Sequence, residues 1–375
     1  MPERQAVFAA RDGFVADDSG AAAHFGNPLG EQRLLERGRA VVELPWGIVT
    51  VTGPDRLSWL NSMTSQLLLG LPAGASTETL VLDASGRIEH AARVVDDGET
   101  TWLLTDAADA APLAAWLTSM RFMLRVEVTD RSDSVHVLGW FGDEPPFAAA
   151  PLPEPPLVEW VDPWRQIAVG GWGYAAPEAH PGAAWNLRAA MVTPESAAAV
   201  ARSDVPAAGS LAVEALRVAA WRPSLTDVDE RSIPHELDWL RSAVHLEKGC
   251  YRGQETVAKV HNLGHPPRRL VMLHLDGSDA LLPARGAVIE APDGAEAGRV
   301  TSPALHHELG PIALAVVKRA LDPGAVLTIT VDGTSVSAAQ QVVVPPEAGA
   351  TANVPRMPRL GATVRRSERP TPTEH

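Results

Sequence analysis

The chain has 375 residues, 45% of them hydrophobic, and a formal net charge of −14; this length suits two or three domains with sizeable cores. The acidic balance excludes broad, non-specific nucleic-acid binding, which needs a cationic footprint, and no apolar run approaches the roughly 18–20 residues that cross a bilayer. The single cysteine excludes an internal disulfide, cannot hold an iron–sulfur cluster alone and, with no secretion-signal pattern at the start, fits a reducing cytoplasm.

In chain order, residues 1–34 are polar and rich in Gly and Ala, which predicts a loosely ordered segment. Val41–Leu44 and Ile48–Val51 predict two short strands broken at Pro45-Trp46-Gly47. A helix is predicted next: Pro54 suits its first turn, and Leu57, Leu60, Thr64, Leu67 and Leu68 mark one face before Gly70 and Pro72. Leu80–Leu82 and Ile88–Val95 flank the turn Asp83-Ala84-Ser85-Gly86 and read as a hairpin. After a strand at Thr101–Leu104, Asp106 opens a second helix with Leu113, Trp116, Leu117 and Met120 on its apolar side, and strands near 124–129 and 135–140 follow.

Residues 141–164 carry seven prolines, including Pro145, Pro146, Pro155 and Pro156, and read as a connection. Residues 184–245 look largely helical. From Arg268 to about Val344, short β-rich runs (270–275, 288–290, 312–317, 326–331, 336–344) alternate with Gly, Pro and Asp, as in a small barrel. The tail, 346–375, is rich in Pro, Thr, Ala and Arg and is expected to be disordered. Hairpins mixed with helices, without regular βαβ repeats, define an α+β class.

Most of the chemistry converges on Leu246–Thr256. Cys250 lies between the cations Lys248 and Arg252 and between Gly249 and Gly253. Nearby positive charge favours the thiolate, which is the reactive form. Lys248 is one of only three lysines among 32 basic residues. On local chemistry alone Cys250 reads equally as a small buried hydrophobe. His261 and His265 have metal-pair spacing, but Gly264 and Pro266 predict a loop there and no metal site is expected.

Lys248-Gly249-Cys250-Tyr251-Arg252-Gly253-Gln254-Glu255 resembles the K-G-C-Y-x-G-Q-E signature of the YgfZ folate-binding proteins, whose mitochondrial relatives assist assembly of 4Fe–4S proteins. Leu216-Arg217 followed by Arg222-Pro223 resembles that family's L-R-x-x-x-G-R-P stretch, and Ile233-Pro234-His235-Glu236 its I-P-x-E. The family is similar in fold to the aminomethyltransferase of the glycine-cleavage system, the T-protein. The resemblance covers about residues 35–345. It implies two interleaved α+β lobes around a central cavity (35–265) and a C-terminal antiparallel β barrel (266–345).

It further implies a reduced folate, such as tetrahydrofolate, as cofactor. Arg217 would bind its glutamate carboxylate or pair with an internal acid. Glu236 would accept from the pterin N–H groups or serve as an ordinary helix acid, and Lys248 would contact folate and support Cys250 as the functional thiol. Tyr251, Gln254 and Glu255 can equally pack or cap the following helix. Two positions depart from the pattern: Ala219 stands where an acid would be and Trp221 where a glycine would be. His90-Ala91 stands where the T-protein has its acidic pair, which disfavours aminomethyl transfer, although His90 could titrate in its place.

The function expected on this basis is that of a folate-binding accessory protein for assembly or repair of 4Fe–4S enzymes, meeting iron–sulfur client or assembly proteins transiently and not necessarily turning over a substrate. The alternatives are a tetrahydrofolate-dependent one-carbon transferase, and a redox-sensing binding module in which Cys250 forms a mixed disulfide.

Overall fold

The computed structural model describes residues 6–18, 20–175, 179–278 and 281–352. The strands are β1 (Val15–Ala16), β2 (Ala22–His24), β3 (Val41–Glu43), β4 (Trp46–Thr52), β5 (Ser76–Leu82), β6 (Ile88–Asp96), β7 (Thr100–Asp106), β8 (Glu127–Asp130), β9 (His136–Phe141), β10 (Val158–Val161), β11 (Leu187–Val192), β12 (Ala207–Ala208), β13 (Arg268–Leu275), β14 (Val288–Glu290), β15 (Glu296–His306), β16 (Gly310–Lys318), β17 (Leu327–Val331) and β18 (Thr334–Val342). The α-helices are α1 (Pro28–Glu36), α2 (Arg56–Met63), α3 (Ala107–Ser119), α4 (Pro194–Arg202), α5 (Ser210–Ala219) and α6 (Gln254–Leu263).

Two five-stranded sheets, β10-β11-β9-β3-β12 and β5-β6-β7-β4-β8, are interleaved in the chain, because β4 to β8 are inserted between β3 and β9. Alternation along each strand sets the layers. On the second sheet, Val49, Val51, Val81, Val94 and Leu103 pack under α2 and α3, while Ile48, Leu80, Leu82, Val95 and Leu104 face a shared central core. The first sheet turns Val42, Val137, Ala189 and Met191 to that same core and Val41, Leu138, Trp140 and Ala190 outward, against Phe8, Phe147 and α4. The third unit is a closed antiparallel barrel in the order β13-β16-β15-β14-β17-β18, with its own apolar interior. The molecule is thus α+β, with two interleaved lobes and a C-terminal barrel.

Several local expectations need correction. The described part of 1–34 is ordered: Phe8 is buried, and Arg11 donates to the carbonyls of Val200, Ala201, Ser203 and Val205 at the end of α4, where a helix leaves carbonyls unpaired. Trp46 belongs to β4, so only Pro45 breaks that region. The helix predicted to reach Leu68 stops at Met63, where Thr64 turns extended and the Asn61 side chain accepts the N–H groups of Leu68 and Leu69. Residues 141–164 include the edge strand β10, and the stretch read as helical from 184 includes β11, whose Ala-rich sequence is held between β9 and β10. Beyond α5, residues 225–241 contain only short 3₁₀ turns.

The longest barrel strand, β15, escaped notice because Gly298 and Pro303 read as breaks. Gly298 is required there, since a Cβ would meet the carbonyl oxygen of Val316 on the paired strand. Of the tail, residues 346–352 are described and Thr351 bonds to the His261 carbonyl at 3.0 Å; 353–375 lie outside the described residues.

Candidate functional site

The Cys250 loop is built on α6. Cys250 is exposed, four residues before the helix begins at Gln254. Gly253 caps that helix with φ +83°, and a Cβ on it would lie 2.6 Å from the Asp83 carbonyl. Opposite stands Gly86 (φ +77°), where a Cβ would come within 2.9 Å of Thr256. The β5–β6 turn and the Cys250 loop therefore mate through two glycines, each of which needs both the left-handed conformation and the close approach. Gly249 has open space around its Cα.

Lys248 reaches back to the end of α2. Its Nζ donates to the carbonyls of Asn61 (2.6 Å), Thr64 (2.7 Å) and Gln66 (2.7 Å), around the C-terminus of α2. An ammonium has three donors, so all of them are taken by backbone carbonyls. Burial pulls its pKa down to about 8. Tyr251 is buried beneath that ammonium, 5.2 Å from ring centroid to Nζ, and burial pushes its phenol upward. Gln254 donates to the Lys248 carbonyl at 3.2 Å, closing the loop. Arg252 pairs with Glu89 at 2.6 Å, both half-exposed, and Glu255 lies exposed in the first turn of α6, where a carboxylate suits the helix dipole.

A cavity of about 420 Å³ opens where β4, β6, β7, β11 and α5 converge. Trp46, Trp185, Leu187 and Val213 give it apolar walls, and Arg93, Asp106, Asp162 and Arg222 give it charge. Arg93 lies over the Trp46 ring, 3.8 Å from guanidinium carbon to centroid. Its one ion pair among the described residues is with Asp106, at 3.8 Å, beyond hydrogen-bond reach. Burial pulls Arg93 below its ordinary pKa and pushes the Asp106 carboxyl above its own. Asp162 is held by Trp185 Nε1 (2.8 Å) and Arg222 Nε (3.1 Å), and Arg222 also pairs with Glu78 at 2.6 Å.

Arg217 lines this cavity but is fully engaged: it donates to Glu214 twice, to Asp227, to the Arg222 carbonyl and to Ser302, all within 2.8 Å. Those are its five N–H groups. The pairing with internal acids, rather than with a ligand carboxylate, is what the geometry shows. Glu236 is fully buried, does not line the cavity, and accepts from Arg268 three times and from the Ile233 N–H. The cavity of about 420 Å³ is thus lined by Arg217, but by neither Glu236 nor the 248–255 loop. Sequence reasoning missed Arg93, Asp106 and Trp46, one from each of three strands, and the only available signal was a charged residue at an inward position of an apolar strand.

His90 points away from the cavity. It shares a face of β6 with Ala92 and Val94, under α3, and its Nδ1 lies 2.6 Å from Asp109 on that helix. Ala91, Arg93 and Val95 take the inward face. His261 is buried in the last turn of α6 rather than in a loop, and His265 bonds to the Ala348 carbonyl. Among the described residues no group of three or more His, Cys, Asp or Glu is placed to hold a metal ion, and no helix is long and apolar enough to cross a membrane.

Residues 268–346 match the family model of the glycine cleavage T-protein C-terminal barrel domain. The whole chain is similar to the crystal structure of the glycine cleavage system aminomethyltransferase T from Bartonella henselae, with a TM-score of 0.69 over 90% of this chain and 95% of that one, at 18% identity. A chloroplastic protein of Arabidopsis thaliana, whose name gives it a provisional transferase role, is 23% identical over 309 residues, 77% of this chain and 67% of its own. The fold is thus that of a glycine-cleavage T-protein.

Proposed function

We propose that the protein binds a reduced folate in the central cavity and serves assembly or repair of 4Fe–4S enzymes through the exposed Cys250, acting in the cytoplasm on transient iron–sulfur partners. The observation that carries the folate part is the Trp46–Arg93–Asp106 group. A pterin is a flat ring with N–H donors along one edge. A guanidinium stacked on an indole, without a hydrogen bond, and nearby carboxylates suit it, in a volume typical of ligand pockets. The accessory role rests on the K-G-C-Y-x-G-Q-E resemblance and on Cys250 standing exposed outside the cavity. Its Lys248 serves to hold the loop on α2.

Calorimetry with tetrahydrofolate tests the ligand. Arg93→Met is expected to weaken binding at least tenfold, the scale of a hydrogen bond to a charged group, while Cys250→Ser leaves it unchanged. No heat and no thermal shift at millimolar ligand would sink the folate reading. For the accessory role, deletion of the gene is expected to lower 4Fe–4S enzyme activities without lowering glycine-cleavage flux, and Cys250→Ser to fail in complementation.

A second reading, a tetrahydrofolate-dependent one-carbon transferase, is favoured by one observation. Asp106, a carboxyl whose pKa burial raises, faces the cavity, whereas His90 does not. Turnover of an amine donor that Asp106→Asn abolishes would establish it.

A further inference from the structure

A second cleft, of about 430 Å³, lies between residues 226–232 and the barrel. In a chain of net charge −14 its lining is cationic: Arg231, Arg268, Arg285, Arg299 and Lys318 against Asp227, Asp229 and Glu296. The carboxylates are already engaged. Asp227 is bound by Arg217, Thr301 and Ser302, Asp229 by Arg268, and Glu296 by Arg299. Arg231 and Arg285 are exposed, and neither side chain makes a hydrogen bond or ion pair among the described residues. Thr226 stands on the wall of both this cleft and the central cavity, so the two spaces adjoin across one residue.

We propose that this cleft receives the oligo-γ-glutamate extension of a folate whose pterin occupies the central cavity; the inference rests on the folate reading above. Each added γ-glutamate carries one further carboxylate, and a planar guanidinium fork matches a carboxylate in two parallel hydrogen bonds. The central cavity offers no such reserve for a lengthening anionic tail, since Arg217 and Arg222 there are committed to internal acids and Arg93 is assigned to the pterin. Arg231 and Arg285, on opposite sides of the cleft, have no internal partner to give up.

The test compares tetrahydropteroyl monoglutamate with the pentaglutamate in calorimetry on the full chain. The pentaglutamate is expected to bind at least tenfold more tightly at low ionic strength, with the gain shrinking as salt rises. Arg231→Gln with Arg285→Gln is expected to bring both forms to the monoglutamate affinity, without altering that affinity. Equal binding of the two forms by the native chain, or a gain that survives in the double variant, overturns the proposal and leaves the folate reading standing. Binding of neither form overturns both. Oligophosphates share the ligand's charge, so free penta-γ-glutamate and tripolyphosphate are compared as competitors. Removal of the gain at lower concentration by the peptide supports the tail, and the reverse order overturns it in favour of a phosphate ligand.

Discussion

The Cys250 loop and the central cavity are both anchored on β6, yet they are built in opposite ways. Glu89, which holds Arg252, and Arg93, which lines the cavity, lie four residues apart on that strand, about 13 Å at the rise of an extended chain. The loop is contiguous in sequence, solvent-facing, and held from behind by one buried lysine and two mated glycines. The cavity is assembled from side chains far apart in sequence, and the ion pairs of Arg222 in its wall are buried. A loop of the first kind can change its exposed residues without cost to the fold. A cavity of the second kind couples any change in its charged wall to stability.

The largest expected effect lies on the cavity side. Arg217→Ala would leave Asp227, fully buried, without its cation, and removing one partner of a buried pair costs about 3–5 kcal/mol. Denaturant unfolding should show a loss of that size. A loss under 1 kcal/mol would mean that the wall is far less coupled than its hydrogen bonds indicate.

An intermediate effect concerns the support of the loop. His235 is buried, which lowers its pKa to about 3 against the opposing effect of the Val257 carbonyl of α6, 3.1 Å from its Nε2. The unfolded chain, with a histidine near 6.5, takes up the proton first as pH falls. Stability is therefore flat above neutrality and declines from pH 6.5 towards 3, by about 3 kcal/mol at pH 4.5 for this group. Thermal unfolding at pH 7 and pH 4.5 should show a larger drop for the native chain than for His235→Gln, and equal drops would remove His235 from the account.

The smallest effect is at the thiol itself. Cys250→Ser should shift stability by no more than about 0.5 kcal/mol, as at other exposed positions. A larger loss would show that Cys250 packs as a core residue and would erase the contrast.

The same contrast explains what could be read from the chain. The β5–β6 hairpin was legible because apolar residues alternate on both sides of Asp83-Ala84-Ser85-Gly86, and the Cys250 loop because its residues adjoin. The barrel was legible in outline, although β15 was hidden by Gly298 and Pro303. Arg93 and Asp106 could not be linked from sequence, since only the pairing of β6 with β7 places them side by side. Arg217, Glu236 and Lys248 could be picked out as candidate folate contacts from their motifs. Their roles were not legible, because whether a buried ion faces a ligand or an internal partner depends on tertiary neighbours such as Arg268 and the end of α2.

The bond from Lys248 to the end of α2 also imposes an order on synthesis. The Asn61, Thr64 and Gln66 carbonyls leave the ribosome between 182 and 187 residues ahead of the ammonium that will cap them. Until then the helix end is covered by water alone, and contacts this distant in sequence form late. The cysteine follows that lysine by two positions, so a nascent chain cannot present the thiol in its finished setting until the helix from the first lobe is waiting to receive the loop.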